Sequence, residues 1–174
     1  MITLRRYLSL CALLFWQGGF TFYAVVVIPV AGRVLRDNLH LRARITDGAT
    51  FWLNWAGVVV LALFLWDLAV TADPSRLRRR LRGGSWAVLF VTLAALFFLH
   101  SWLEVLNPAE GKGPTDAATF FLLHSLYLWV STAQWVAALL YLGVAVRAWR
   151  VEDSQSKEEE VVVGGKGMSG RGGQ

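Results

Sequence analysis

The stretch FWLNWAGVVVLALFLWDLAVTA, residues 51–72, decides the fold, since Asp67 is the one charged residue in 22 positions. The hydrocarbon core of a bilayer is about 30 Å thick, and a helix of about 20 apolar residues crosses it. Backbone N–H and C=O groups cannot stay unpaired in lipid, and a helix satisfies them within its own segment. The stretch therefore predicts a membrane-spanning helix.

Three further apolar runs cover residues 7–30, 85–106 and 117–146, and the whole chain is 56% apolar. Soluble domains contain about 45–50% apolar residues. The first run could instead be a signal peptide, but the apolar region of a signal peptide spans about 7–15 residues, so a retained helix is favoured. The predicted fold class is all-α, an integral membrane four-helix bundle formed by residues 1–150.

The distribution of Lys and Arg predicts the orientation, since cytoplasmic loops carry an excess of both. Basic residues gather in three places that share one side of a four-span protein: Arg5 and Arg6, the second loop at residues 73–84, and the end of the fourth run. We therefore expect both termini in the cytoplasm. The first loop opposes this, because its arginines would lie outside; it could form an amphipathic helix on the outer interface.

The composition changes abruptly after Arg150. Residues 151–174 carry an acidic stretch and six glycines. Such a segment cannot bury enough apolar surface to fold alone. We expect a disordered cytoplasmic tail, in which residues 161–163 could dock a protein partner.

Polar side chains within the apolar runs are informative, because polar groups are costly in lipid and mark functional sites or buried polar contacts. His100 and His124 are expected at similar depth, on the order of 10 Å inside the outer boundary, on helices joined by a short loop. Glu104 shares a helical face with His100. Tyr127 follows His124 on one stripe of the fourth helix, and Asn54 begins the second span on the same outer side. These five residues predict a polar pocket in the outer half of the bundle.

Three functions are open for this pocket. His100 and His124 could ligate a haem iron axially or bind a transition metal, because neutral imidazole suits these ions. Alternatively, the polar residues only hold helices together, and the protein is a membrane scaffold or interaction protein without a cofactor. A proton-coupled small-molecule carrier ranks third, because the sequence lacks the broken helices and repeats usual for carriers. The sequence contains no phosphate-binding glycine loop, no His-Glu-x-x-His pattern and no nucleophile elbow, which disfavours an enzyme.

The second loop has its own expected partners. Asp67, near the inner end of its span, is expected to pair with an arginine of this loop. The loop arginines are also expected to hold anionic lipid, at about 1 kcal/mol per basic residue. They are Arg76, Arg78, Arg79, Arg80 and Arg82. Because the basic residues flank apolar runs, nucleic acid is not an expected partner.

The segments WQGGFTFY at residues 16–23 and VIPV at residues 27–30 resemble the first span of a family of small uncharacterised bacterial four-helix inner-membrane proteins with a domain of unknown function. Asn54-Trp55 and FFLLHSLYLW at residues 120–129 resemble the openings of its second and fourth spans. The plan is more distantly similar to the transmembrane-protein-205-like and copper-resistance D membrane domains. The resemblance covers residues 7–150. It implies the architecture and a location in the bacterial inner membrane, but not an activity. The chain lacks the Met-rich or Cys-rich ligand set that soft metals favour.

Overall fold

The computed structural model describes residues 2–36, 38–71, 73–106 and 116–169, and every regular element within these ranges is helical. The elements are α1 (Ile2–Phe22), a π-helical turn (Tyr23–Val27), α2 (Ile28–Val34), α3 (Leu39–Val70), α4 (Arg76–Leu106) and α5 (Ala117–Ser169). Four stretches are long and apolar enough to cross a membrane: Thr3–Val34, Arg44–Val70, Arg76–Leu106 and Ala118–Lys157. The predicted all-helical fold with four such helices is confirmed.

Side chains define where the last three helices begin. Asn38, Ser75 and Asp116 each accept a hydrogen bond from a backbone N–H two or three residues later. These bonds satisfy N–H groups that have no acceptor inside the first helical turn. The first residues of α3, α4 and α5 are therefore determined by the local sequence.

The first span contains a π-helical turn directly before a proline. The N–H of Ile28 donates to the carbonyl of Tyr23, five residues earlier. Pro29 has no N–H, and its ring clashes with a carbonyl of the preceding α-helical turn. One wider turn accommodates the proline, and α2 continues to Val34. Such insertions are a recognised cause of helix bending.

The first loop is shorter than expected. α3 begins at Leu39, twelve residues before the predicted start of the second span at residue 51. The amphipathic segment expected on the outer interface is therefore the first part of α3 and not a separate element. Asn38 caps the helix, and polar turns extend a nucleated helix at little cost.

The tail also differs from the expectation. Residues 151–174 are predicted to be disordered, but α5 continues to Ser169 without a break. Extending an existing helix requires no new nucleation. A tail of this composition cannot form a core of its own, but a helix that continues from α5 does not need one. Residues 170–174 lie outside the described residues.

The helices pack in a chain of neighbours. α3 packs against α1 and α4, and α4 packs along α5. Phe64 of α3 and Tyr141 of α5 stack with their ring centroids 4.0 Å apart. α1 approaches α3 closely at Gly57, where an added Cβ would lie 2.7 Å from the ring of Trp16. The main core is formed by Leu13, Trp16, Val60, Leu61, Phe64, Leu89, Leu93, Ala137, Ala138, Tyr141, Ala145 and Trp149.

Candidate functional sites at the two ends of the bundle

The two ends of the bundle differ in chemistry. α1 and α4 run from what we name the proximal end to the distal end, and α3 and α5 run back. The proximal end contains Arg5, Asp67, Arg82 and Trp149, and α5 leaves the bundle there. The distal end contains Asp47, Thr50, His100 and Glu104.

Asp67 is the centre of the proximal end, and 0% of its surface is exposed. Its Oδ1 lies 3.0 Å from Nε of Arg5 on α1, and its Oδ2 lies 2.7 Å from Nη2 of Arg82 on α4. Both arginines are buried as well. Arg82 Nη2 also donates at 3.1 Å to the backbone carbonyl of Asp67, which accepts a second hydrogen bond from the N–H of Thr71 at 3.0 Å. One carboxylate therefore joins three helices away from solvent.

α5 reaches the same carboxylate through two aromatic side chains. Trp149 Nε1 donates to Oδ1 of Asp67 at 3.0 Å. The Tyr141 hydroxyl donates to the backbone carbonyl of Phe64 at 2.9 Å and lies 3.4 Å from Oδ2 of Asp67. Thr71 Oγ1 donates to Oδ1 of Asp67 at 3.0 Å. The resulting Asp67 cluster, with residues from all four spans, consists of Arg5, Asp67, Thr71, Arg82, Tyr141 and Trp149.

Further ion pairs connect the Asp67 cluster to the extension of α5. Arg5 Nη2 lies 3.3 Å and Arg6 Nη2 lies 2.7 Å from Oε2 of Glu152. Arg6 Nη1 lies 2.8 Å from Oδ1 of Asp153. The Arg6 guanidinium also lies 5.5 Å from the centre of the Trp149 ring, within the range of a cation–π contact. The start of α1 is therefore held against α5 where α5 leaves the bundle.

These contacts decide two predictions about the second loop. The expected pairing of Asp67 with a loop arginine is confirmed, with Arg82 as the partner. Arg82 is consequently not available to lipid, which corrects its predicted role in lipid binding. Arg78 instead pairs with Asp73, with Nη2 and Oδ1 2.9 Å apart. The other three loop arginines, Arg76, Arg79 and Arg80, have exposed side chains on α4.

Asp73 lies in the short connection that leads into α4. Its carboxylate accepts hydrogen bonds from Arg78 Nε and Nη2 and from the N–H of Ser75. Burial alone would raise the pKa of Asp73, but these hydrogen bonds and the nearby arginine charges outweigh burial and hold the pKa below its ordinary value of 3.8. The ionised carboxylate therefore stabilises this connection at neutral pH.

His100 is the centre of the distal end. Its Nε2 lies 3.3 Å from Oδ1 of Asp47 on α3 and 3.9 Å from Oε1 of Glu104 on α4. Its Nδ1 lies 3.5 Å from Oγ1 of Thr50. The metal-ligating atoms of Asp47, His100 and Glu104 all lie within 4.8 Å of one another. These three residues form the distal cluster, which combines one imidazole with two carboxylates.

His124 does not join the distal cluster. Its side chain is exposed and stacks on Phe120, with the ring centroids 6.1 Å apart. Within residues 2–36, 38–71, 73–106 and 116–169, no ring contact or hydrogen bond joins His100 to His124. The structure therefore does not bring together the predicted histidine pair that would ligate a haem or metal.

Tyr127 and Asn54, two other predicted pocket residues, do meet. The Tyr127 hydroxyl donates to Oδ1 of Asn54 at 3.5 Å, and both side chains are buried. This contact joins α5 to α3 inside the bundle. Hydrogen bonds of this kind commonly hold membrane helices together, so the pair is assigned to helix packing.

Asp47 and Arg5 are site residues that the sequence analysis missed. The predicted second span starts at residue 51, which places Asp47 in the first loop. In the structure α3 starts at Leu39 and therefore contains Asp47. Its spacing from Thr50 and Asn54, i, i+3 and i+7, places all three on one helical face and could have indicated its role. In the sequence, Arg5 indicates only topology, and no local pattern links it to Asp67, 62 residues later in the chain.

Comparison with known proteins adds no assignment: no protein-family model, no curated protein and no solved structure matches the chain. The resemblance to a family of bacterial four-helix inner-membrane proteins therefore stays a prediction. Function has to be argued from the chemistry of the two ends.

Proposed function

We propose that the chain is an integral protein of the bacterial inner membrane that binds one divalent transition-metal ion through the distal cluster. The observation that supports this is the position of His100 Nε2, which faces Oδ1 of Asp47 at 3.3 Å and Oε1 of Glu104 at 3.9 Å. An imidazole nitrogen and two carboxylate oxygens are donors that Zn²⁺ and similar ions accept. The predicted partner His124 is replaced by Asp47.

The hydrogen bonds of Thr50 favour one form of the His100 ring. The Thr50 hydroxyl donates to the backbone carbonyls of Thr46 and Asp47, at 2.9 and 3.0 Å. A hydroxyl that donates in this way accepts at its oxygen, which favours a hydrogen on Nδ1 of His100, 3.5 Å away. In the neutral ring Nε2 then presents a lone pair to the oxygen of Asp47. Either a proton or a metal ion between the two atoms removes the repulsion between their lone pairs, and a residue that fixes the tautomer in this way typically supports a metal ligand.

The geometry also fits ordinary ligand distances. Ligands bound at about 2.0–2.2 Å lie at most about 4.4 Å apart across one ion. The distances from His100 Nε2 to the two carboxylate oxygens already meet that limit. The widest distance between ligand atoms in the distal cluster is at most 4.8 Å, and a small rotation of a side chain would bring it within the limit. Asp47 and Glu104 side chains are 47% and 54% exposed, so they can rotate, and solvent can complete the coordination. The three residues of the distal cluster offer neither a thiolate nor a thioether, which disfavours Cu(I) as the bound ion.

The orientation belongs to the same proposal. Nine arginines lie at the proximal end or in the loop beside it and four at the distal end, so the positive-inside rule places the proximal end and both termini in the cytoplasm. The distal cluster then faces the periplasm, where it would meet metal ions from outside the cell. Attaching a reporter to either terminus and measuring its protection from external protease tests this orientation.

Metal binding is tested with the full-length protein in detergent, stripped with a chelator and dialysed against Zn²⁺, with Co²⁺ as a coloured substitute. We expect one ion per chain. His100→Ala and Asp47→Asn should abolish binding in the same concentration range. Thr50→Val should weaken it by about 10–100-fold, as removal of a supporting residue usually does.

His124→Ala is the matched control, because it removes an exposed histidine from the same half of the bundle, and it should bind normally. Absence of saturable binding in the wild-type protein, or normal binding by His100→Ala, would refute the proposal. A Soret band that both histidine variants abolish would favour the haem-ligating pair instead.

A further inference from the structure

We propose that the exposed arginines of α4, together with Gly83 and the stacked rings of Trp86 and Phe90, form a binding site for one anionic phospholipid at the proximal end. This inference is independent of the distal cluster. It also differs from the sequence prediction, which treated all five loop arginines alike.

The structure divides those arginines into two groups. Arg78 and Arg82 are neutralised by Asp73 and Asp67, at 2.9 and 2.7 Å. The remaining three are exposed and, in the part of the chain that the structure describes, form no ion pair with a carboxylate. They are Arg76, Arg79 and Arg80, at spacing i, i+3 and i+4. With 3.6 residues per turn they share one face of α4, so three uncompensated charges lie side by side.

The same face of α4 is open immediately beyond these charges. Gly83 lies in the middle of the face by helical spacing, and a Cβ added there would meet nothing within 4 Å. One turn further, Trp86 and Phe90 stack with their ring centroids 5.6 Å apart. Trp86 is held in place because its Nε1 donates to the carbonyl of Leu61 on α3 at 3.0 Å. Between the three arginines and the two rings, Gly83 therefore leaves an open position without a side chain, which we name the notch.

This order of features matches a phospholipid lying along the helix. α4 runs from the proximal end into the apolar region, so the arginines come first, at headgroup level, and the rings come second, at the level of the acyl chains. The phosphate would contact the guanidinium groups, which bind phosphate in bidentate geometry. The glycerol would occupy the notch at Gly83, and an acyl chain would cover Phe90, which is 54% exposed. A free phosphate would use only the first of these contacts.

The expected loss of lipid binding on substitution distinguishes a specific site from a general attraction of basic residues to anionic lipid. In the proposed site the guanidinium groups contact one phosphate directly, and loss of two such charge-assisted contacts should weaken binding by about 30-fold or more. The proximal end carries two other exposed arginines, Arg147 and Arg150 on α5. They provide a control with the same change of net charge. Gly143, one turn before Arg147, is also open, but among the described residues no exposed stacked aromatic pair lies beside these two arginines.

The experiment measures binding of phosphatidylglycerol and phosphatidylcholine to the full-length protein by native mass spectrometry from detergent. The wild type should retain one phosphatidylglycerol in preference to phosphatidylcholine. The double variant R79Q/R80Q should lose this preference by about 30-fold, whereas R147Q/R150Q should change it by less than about threefold. Gly83→Leu fills the notch without changing charge and should reduce binding about tenfold, and Gly143→Leu, at another open glycine, should not.

Each alternative result has a defined meaning. Equal losses in the two double variants would show that net charge alone attracts the lipid and would overturn the proposed site. Displacement of phosphatidylglycerol by inorganic phosphate at equal concentration would show a phosphate site without lipid specificity and would also overturn it. Normal binding by Gly83→Leu would exclude the notch as part of the site.

Discussion

Replacing Asp67 by asparagine tests the organisation of the proximal end. The substitution keeps the shape of the side chain but removes the charge that Arg5 and Arg82 contact at 3.0 and 2.7 Å. Arg5 retains Glu152 at 3.3 Å. Arg82, which is 1% exposed, makes no other carboxylate contact in the described residues. Asp67→Asn therefore leaves a buried guanidinium without a counter-ion.

The expected cost follows from that geometry. Removing one partner of a buried ion pair usually destabilises a protein by about 3–5 kcal/mol. Trp149 and Thr71 donate to Asp67 Oδ1 and can donate to the asparagine oxygen as well, so their contribution is largely retained. In a chain of this size the loss should lower the unfolding temperature by about 6–20 °C. The assay is thermal unfolding in detergent, followed by circular dichroism.

Two controls define what would refute this reasoning. Asp153→Asn removes the 56% exposed carboxylate that pairs with Arg6, and it should cost less than about 1 kcal/mol. The double variant D67N/R82M removes the isolated guanidinium but keeps the amide oxygen for Trp149 and Thr71, so it should recover stability relative to Asp67→Asn. Unchanged stability of Asp67→Asn, or a double variant less stable than Asp67→Asn, would contradict a stabilising buried pair.

Two further predictions concern packing and pH. Gly57→Ala places a methyl group 2.7 Å from the Trp16 ring and should lower the free energy of unfolding by about 1–3 kcal/mol. The added methyl group of Gly143→Ala meets nothing within 4 Å, so this control should leave the unfolding temperature unchanged or slightly higher. Equal effects of the two substitutions would exclude the close approach at Gly57. Because the pKa of Asp73 is lowered in the folded protein, its stabilising effect should be present above its ordinary value of 3.8 and should disappear as the pH falls through the lowered value. The stability difference between the wild type and Asp73→Asn should shrink accordingly in acid, and a difference that grows there would contradict the Arg78 contact.

The spans were predictable because a bilayer imposes a length and a composition on any helix that crosses it. The pairing of Asp67 was predictable for a similar reason, since a carboxylate in an apolar run beside an arginine-rich loop has few alternatives. Its exact partners were not, because the loop offers five arginines and only their positions around α4 decide that Arg82 faces inward. Arg5 depends on the packing of α1 against α3, which hydropathy does not specify.

The predicted pocket shows where depth alone is insufficient. His100 and His124 were placed at similar depth from residue counts, but depth says nothing about which way each ring points around its helix. Packing of α4 between α3 and α5 directs His100 toward Asp47 of α3, while His124 remains exposed. The start of α3 was equally decisive, because a second span beginning at residue 51 leaves Asp47 outside the helix that presents it.

The unequal ends of the bundle imply a direction for its local opening. At the proximal end, α1, α4 and α5 all contact one buried carboxylate of α3. At the distal end, α3 and α4 meet through carboxylates that are about half exposed. Regions with exposed contacts separate at lower free energy than regions with buried ones. The helices should therefore separate first at the distal end, with the Asp67 cluster as the hinge. The extension of α5 lies on the hinge side, so it should keep its direction while the distal end opens.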